Sequence, residues 1–207
     1  MPESANFSNI YKFYDLINTL LTLGFDKSWR RVARDYLSGD TVLDLGSGTG
    51  ASYHLLSMYK VTALDPDEKM LKLNQFSNKV VGHAENLPFE DESFDSVYST
   101  FVWRNIDNVD LSMSEIHRVL NPEGKFVLLD MSRPKNKLLQ VLHKIGTYKV
   151  LHIIGLLTFN LKEYRFLHKS LDKYPQPEEQ LEKNNFEKLE IHRMGLFNFV
   201  YLAVFTK

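Results

Sequence analysis

Apolar positions recur at helical intervals over residues 7–37. Phe13, Leu16, Ile17, Leu20 and Leu21 share one face, with polar residues between them. Gly24 breaks this run. A second helix is expected to begin at Asp26 or Lys27 and to stop before Ser38-Gly39-Asp40. From Thr41 the spacing changes to short β-type runs separated by helical ones. Strands are expected at residues 41–45, 60–64, 79–81, 94–99 and 125–130, with helices at 51–58, 67–76 and 109–120 between them. Asn121-Pro122-Glu123-Gly124 carries the residues of a type I turn. Residues 137–166 read as mostly helical and apolar-rich, an insertion after the fifth strand. A further helix at 177–184 and strands at 189–192 and 199–205 complete the chain. No long helix separates the last two strands, which predicts an antiparallel hairpin at one sheet edge.

Strands alternating with helices predict an α/β fold with a mostly parallel sheet covered on both faces. The 207 residues suit one domain. Its expected parts are an N-terminal helical cap (1–38), a ligand-binding core (41–130), a helical lid (135–170) and a C-terminal helix with a strand pair (177–207). Hydrophobic residues at 43% and charged residues at 25% exclude a disordered chain. A formal net charge of -1 argues against a polyanion partner, so no nucleic acid is expected. The chain has no cysteine, which excludes disulfides, thiolate metal sites and a cysteine nucleophile. Its histidines are scattered, and no metal site is expected. The start, MPESANFSNI, lacks the pattern of a signal peptide. The longest apolar stretch, 150–159, is interrupted by His152, Gly155 and Thr158 and falls short of a membrane span. The expected location is cytoplasmic, with peripheral membrane contact through Leu138 to Phe159 as an option. Arg30, Arg31 and Arg34 read as a solvated helix face.

The first strand ends in Gly46-Ser47-Gly48-Thr49-Gly50. Open α/β sheets bind ligands beyond the carboxyl ends of their strands, and glycines there allow a tight turn and close backbone approach. The segment fits G-x-G-x-x-A, a dinucleotide fingerprint, and also D-x-G-x-G-x-G with Asp44 as the acid. Charge separates the two. A carboxylate at Asp44 would oppose a pyrophosphate, whereas S-adenosylmethionine has no phosphate and carries an ammonium and a sulfonium. Asp65 closes the second strand about 20 residues on, where an acid takes ribose hydroxyls. His83-Ala84-Glu85 follows the third strand, a position from which an adenine edge can be contacted. Thr100, ending the fourth strand, would face the same ligand.

Four segments together resemble class I S-adenosylmethionine-dependent methyltransferases. They are Val42 to Gly50, Asp65, Ala84-Glu-Asn-Leu-Pro-Phe89 with Ser93-Phe-Asp95, and Arg118-Val-Leu-Asn-Pro-Glu-Gly124. The resemblance implies a seven-stranded Rossmann-like sheet with an antiparallel last strand. It also implies S-adenosyl-L-methionine as cofactor, held by Asp44, Gly46, Gly48, Thr49, Gly50, Asp65, His83, Ala84 and Thr100. A narrower set looks like the ubiquinone/menaquinone-biosynthesis C-methyltransferase family. It comprises Tyr14-Asp-Leu-Ile-Asn18, Phe25 to Trp29, Phe101-Val-Trp-Arg-Asn105, Tyr164-Arg-Phe-Leu-His-Lys-Ser170 and Tyr174-Pro175.

That family methylates the ring of a prenylated quinol or hydroxylated benzene. The resemblance implies Arg104, Asn105 and Tyr14 as catalytic residues beside the pocket. Arg104 would be a phenolate partner, Asn105 would orient the acceptor or a water, and Tyr14 would close the site. Tyr164, Arg165 and Ser170 would lie on the acceptor wall. Residues 138–159, with Lys144 and Lys149 along them and Lys137 just ahead, fit a hydrophobic lid that meets an isoprenoid tail and lipid headgroups. They also fit an extra core helix pair, which accounts for most of the hydrophobicity. The competing functions are methylation of another small acceptor, a dinucleotide-dependent oxidoreductase, an RNA methyltransferase and a non-catalytic scaffold.

Overall fold

The computed structural model describes Thr19, Thr22 and residues 24–157, 161–173, 177–181, 185–195 and 198–207. The first expected helix, with Tyr14, lies outside these residues, as do Tyr174 and Phe159. A helix α1 (Asp26–Arg34) leads into strand β1 (Thr41–Leu45). Then come α2 (Tyr53–Leu56), β2 (Lys60–Asp65), α3 (Glu68–Leu73), β3 (Asn78–Val81) and β4 (Phe94–Thr100). A 3-10 turn (Trp103–Asn105) precedes α4 (Val109–Val119) and β5 (Leu120–Met131). Two helices, α5 (Lys137–Leu157) and α6 (Leu161–Lys173), follow, then α7 (Glu178–Leu181), β6 (Lys188–Met194) and β7 (Val200–Thr206).

The seven strands form one sheet in the order β3-β2-β1-β4-β5-β7-β6. The first five are parallel, and β7 runs antiparallel to both β5 and β6. The expected hairpin therefore forms at the edge, with its second strand inserted beside β5. Successive side chains of a strand face opposite ways, which explains the apolar runs. Leu43, Leu45, Phe126 and Leu128 enter the core on one face; Val42, Val127 and Leu129 enter the other. At the far end from the site, Asp95 ties β4 to the entry of β1. It accepts from the Asp40 and Thr41 amides, both 2.9 Å, the Thr41 hydroxyl at 2.8 Å and Asn121 Nδ2 at 2.7 Å. These donors hold its carboxyl down at about 2.

Three local expectations are corrected. The helix expected at 51–58 shrinks to Tyr53–Leu56 because the preceding residues are spent in turns. The helix expected at 67–76 is capped by the Asp67 side chain and ends at Leu73, because Asn74 turns its amide back toward the glycine loop. Glu123, at the third position of the turn after α4, has φ +61°, which belongs to a type II rather than a type I turn.

The insertion is two helices, and the second continues to Lys173 rather than ending at residue 166. Arg133, fully buried just after β5, fastens both. It donates to Asp172 on α6 at 2.9 Å and to Thr147 on α5 at 3.0 Å. Burial, reinforced by the Arg133 charge, pushes the His143 imidazole down to about 4, so it is neutral beside that guanidinium.

Candidate active site

The chain runs from β1 outward through β2 to β3 and then crosses back to β4 on the other side of β1, so the sheet order reverses there. A cavity of about 510 Å³ opens beyond the carboxyl ends of these three strands. The glycine loop forms its floor. Gly46 and Ser47 donate their amides to Leu64 O at 2.8 and 3.0 Å, tying the loop to β2. Gly46 has φ +72°, and a Cβ there would stand 2.5 Å from the Val102 methyls. Gly50 has φ +83°, and its Cβ would collide with Asn74 Oδ1 at 2.7 Å. The room left at Gly50 lets Asn74 Nδ2 donate to Ser47 Oγ at 2.8 Å and to Gly48 O at 3.1 Å. Ser47 Oγ in turn donates to Asp44 Oδ2 at 2.6 Å.

Two buried carboxylates face this cavity. Asp65 accepts from the Gly48 amide and the Asp67 amide, each at 2.9 Å. Burial raises both carboxyls to about 6. For Asp44 it outweighs the Ser47 hydrogen bond and the Arg30 charge; for Asp65 it outweighs the two amides. Arg30 on α1 brings a buried guanidinium to the same wall. It donates to Ser52 Oγ at 3.2 Å and to Thr100 Oγ1, and its Cζ lies 4.8 Å from the Phe101 ring centre. The cavity wall thus carries two buried carboxyls and a buried guanidinium close together.

The third wall depends on how the chain leaves β4. Phe101 is fully buried with φ +62°, a strained conformation for a bulky residue. The chain bends sharply there into the 3-10 turn, and its two polar neighbours diverge. Asn105 lines the cavity, and its buried Oδ1 has no hydrogen-bond partner among the described residues. Arg104 points away into the protein, where its guanidinium and backbone amide both bond to Asp130. Arg104 is 3% exposed and Asp130 0%, so this pair is sealed from the cavity.

Most of the expected cofactor residues converge. Asp44, Gly46, Gly48, Thr49, Asp65, His83, Ala84 and Thr100 all line the cavity, as does Asn105. Others are placed differently. Gly50 stands behind the loop, where it packs on Asn74. Arg104 is turned inward by the Phe101 bend. On α6, Tyr164 is buried, Arg165 is exposed, and Ser170 donates to Leu167 O at 2.8 Å within the helix. None of these three is among the described residues of the cavity wall, where the expected acceptor wall would have put them. Tyr14 lies outside the described residues.

Arg30 had been placed on a solvated face and is instead buried. Asp26, Trp29, Arg30 and Ala33 form the buried stripe of α1 at i, i+3, i+4 and i+7. That spacing was available in the sequence; the neighbouring Arg31 and Arg34 obscured it.

A model of the ubiE/COQ5 methyltransferase family matches residues 4–197. The chain belongs to this family. It is 32% identical over 213 residues to a ubiquinone/menaquinone biosynthesis C-methyltransferase of Rickettsia bellii, covering 91% of this chain and 86% of that one. It is 34% identical over 217 residues to a demethylmenaquinone methyltransferase of Chlorobaculum tepidum, covering 96% and 90%. The crystal structure of an S-adenosylmethionine-dependent methyltransferase from Thermotoga maritima shares the fold, with a TM-score of 0.63, 18% identity, and coverage of 97% and 99%.

The protein is therefore an S-adenosylmethionine-dependent methyltransferase. The cavity fits that cofactor on its own chemistry. Two acids strained by burial favour a ligand bringing an ammonium and hydroxyl donors, and a guanidinium beside them favours its carboxylate. A dinucleotide would set its pyrophosphate against Asp44.

Proposed function

We propose that the enzyme methylates a ring carbon of a prenylated quinol, using S-adenosylmethionine as donor. The single observation that carries the cofactor half is the pair of buried carboxylates with Arg30 at one end of the cavity. The acceptor half follows the printed activities of the Rickettsia and Chlorobaculum relatives. S-adenosylmethionine, when bound, supplies an electrophilic methyl group for in-line displacement by carbon.

The chain's residues then divide the remaining tasks. Asp65 accepts the ribose hydroxyls, Asp44 faces the ammonium, and Arg30 takes the carboxylate. His83 and Ala84 border the adenine. Thr49 and Thr100 bound the methionyl side. Asn105, with its unpartnered oxygen, receives a hydroxyl of the acceptor ring. The Arg104–Asp130 pair holds the 3-10 turn and so aims Asn105, which makes Arg104 a positioning residue. Fixing donor and acceptor in line contributes roughly 7–11 kcal/mol at most.

Both acids must be ionised to meet this ligand. Their free-enzyme values near 6 give the affinity a pH dependence. Affinity should be constant above about pH 7 and fall as pH drops through 6, by about tenfold per unit for each proton that must leave. Calorimetric titration from pH 8 to pH 5 measures this, and a flat profile would contradict the role of the acids.

The acceptor is tested by turnover with labelled S-adenosylmethionine on two compounds. One is a demethylated naphthoquinol bearing a short isoprenoid chain, and the other is catechol. Transfer to the first and not the second is expected. Transfer to catechol alone, or to neither, would sink the acceptor assignment.

A further inference from the structure

Helix α5 presents an apolar face that nothing among the described residues covers. Leu138, Val141, Leu142, Ile145, Ile153 and Leu156 recur at i, i+3, i+4 and i+7 and point outward; Leu138 is 69% exposed and Ile145 48%. Ordinary surface helices show the reverse pattern. The opposite face of α5 is already satisfied, because Leu151 is buried and Thr147 and His143 meet Arg133. The charge of the helix is one-sided as well. It has no acidic residue from Lys137 to Leu157; Lys144 is paired with Asp172 of α6 at 3.1 Å, which leaves Lys137 and Lys149 as its outward cations. Lys149 is exposed within the turn that follows Ile145, on the outward side.

An apolar stripe with cations and no anions matches a surface that is greasy below and negative above. A second protein surface would need acids set against the lysines and a cavity for each leucine; a bilayer needs only depth and negative headgroups. The helix is not built to cross, since no described helix is long and apolar enough to span a membrane.

We infer that α5 is a docking helix that lies in the interface of an anionic lipid bilayer, with its outward leucines and isoleucines among the acyl chains. The inference extends the proposed lipid-borne acceptor, yet it is measured by binding alone, so its failure and the failure of that acceptor assignment are distinguishable.

The test is co-sedimentation of the full chain with vesicles of phosphatidylcholine, alone or mixed with phosphatidylglycerol, without cofactor or acceptor. Binding to the mixed vesicles, weakened by salt, is expected. Leu142→Glu with Ile145→Glu should abolish it at an unchanged melting temperature, because both side chains are exposed. Lys149→Glu should weaken it roughly thirtyfold, the effect of reversing one charge near an anionic surface. Absence of binding, or binding indifferent to these changes or to phosphatidylglycerol, would overturn the inference. A lowered melting temperature in the double variant would show that the face is covered by the chain itself. A dimer converted to monomer would show that a second copy covers it. Either result overturns it too.

Discussion

Asp130→Ala is expected to destabilise the protein by about 3–5 kcal/mol, the cost of leaving one partner of a buried ion pair uncompensated. Both members are sealed from solvent, so water cannot replace the lost charge. Asp130 also accepts the backbone amides of Arg104 at 3.0 Å and Met131 at 2.7 Å. Against a typical stability of about 5–15 kcal/mol this is a large fraction, and thermal unfolding should fall by about 10 °C or more. Arg104→Met combined with Asp130→Leu should recover part of that loss, because an apolar pair of similar volume needs no counter-charge, although the two backbone amides lose their acceptor. The double variant also separates two roles for Arg104. If its guanidinium met the acceptor, turnover would vanish in a stable protein while cofactor binding persisted. As a positioning residue its loss should mainly raise KM for the acceptor, with kcat reduced much less.

Asp65→Ala should weaken S-adenosylmethionine binding by about 100-fold or more. Two hydroxyl donors to a buried carboxylate contribute about 1.5–3 kcal/mol each, and the loop amide of Gly48 loses its acceptor as well. The effect on folding should be small by comparison. Removing a carboxylate whose burial is unfavourable offsets the loss of its two amide bonds. Calorimetry and a thermal melt read the two effects separately. An affinity drop matched by a comparable loss of stability would mean that Asp65 shapes the loop rather than binding the ligand.

The mostly parallel sheet was legible because short apolar runs alternated with helical ones over most of residues 41–130, and the edge hairpin because no long helical run separated the last pair. The glycine loop and Asp65 were legible for a related reason: a strand end followed by glycines has few other uses beside a buried acid.

What escaped was set by tertiary geometry. Nothing in Phe101-Val102-Trp103 announces a left-handed phenylalanine, yet that bend decides that Asn105 meets the cavity and Arg104 does not. Gly50 matched the ligand pattern equally well, but its missing side chain makes room for Asn74, a residue 24 positions away. Tyr164 and Ser170 fell on the buried face of α6, away from the described cavity wall. In α5 the apolar content had suggested an extra core helix, whereas much of it faces outward.

The most direct test of the central claim is where the methyl carbon lands. The enzyme would be incubated with S-adenosylmethionine carrying a ¹³C methyl and the short-chain demethylated naphthoquinol, and the product examined by NMR. The account predicts a single new methyl bonded to ring carbon, formed by the wild-type chain and lost with Asp65→Ala. A methyl bonded to a phenolic oxygen would contradict it.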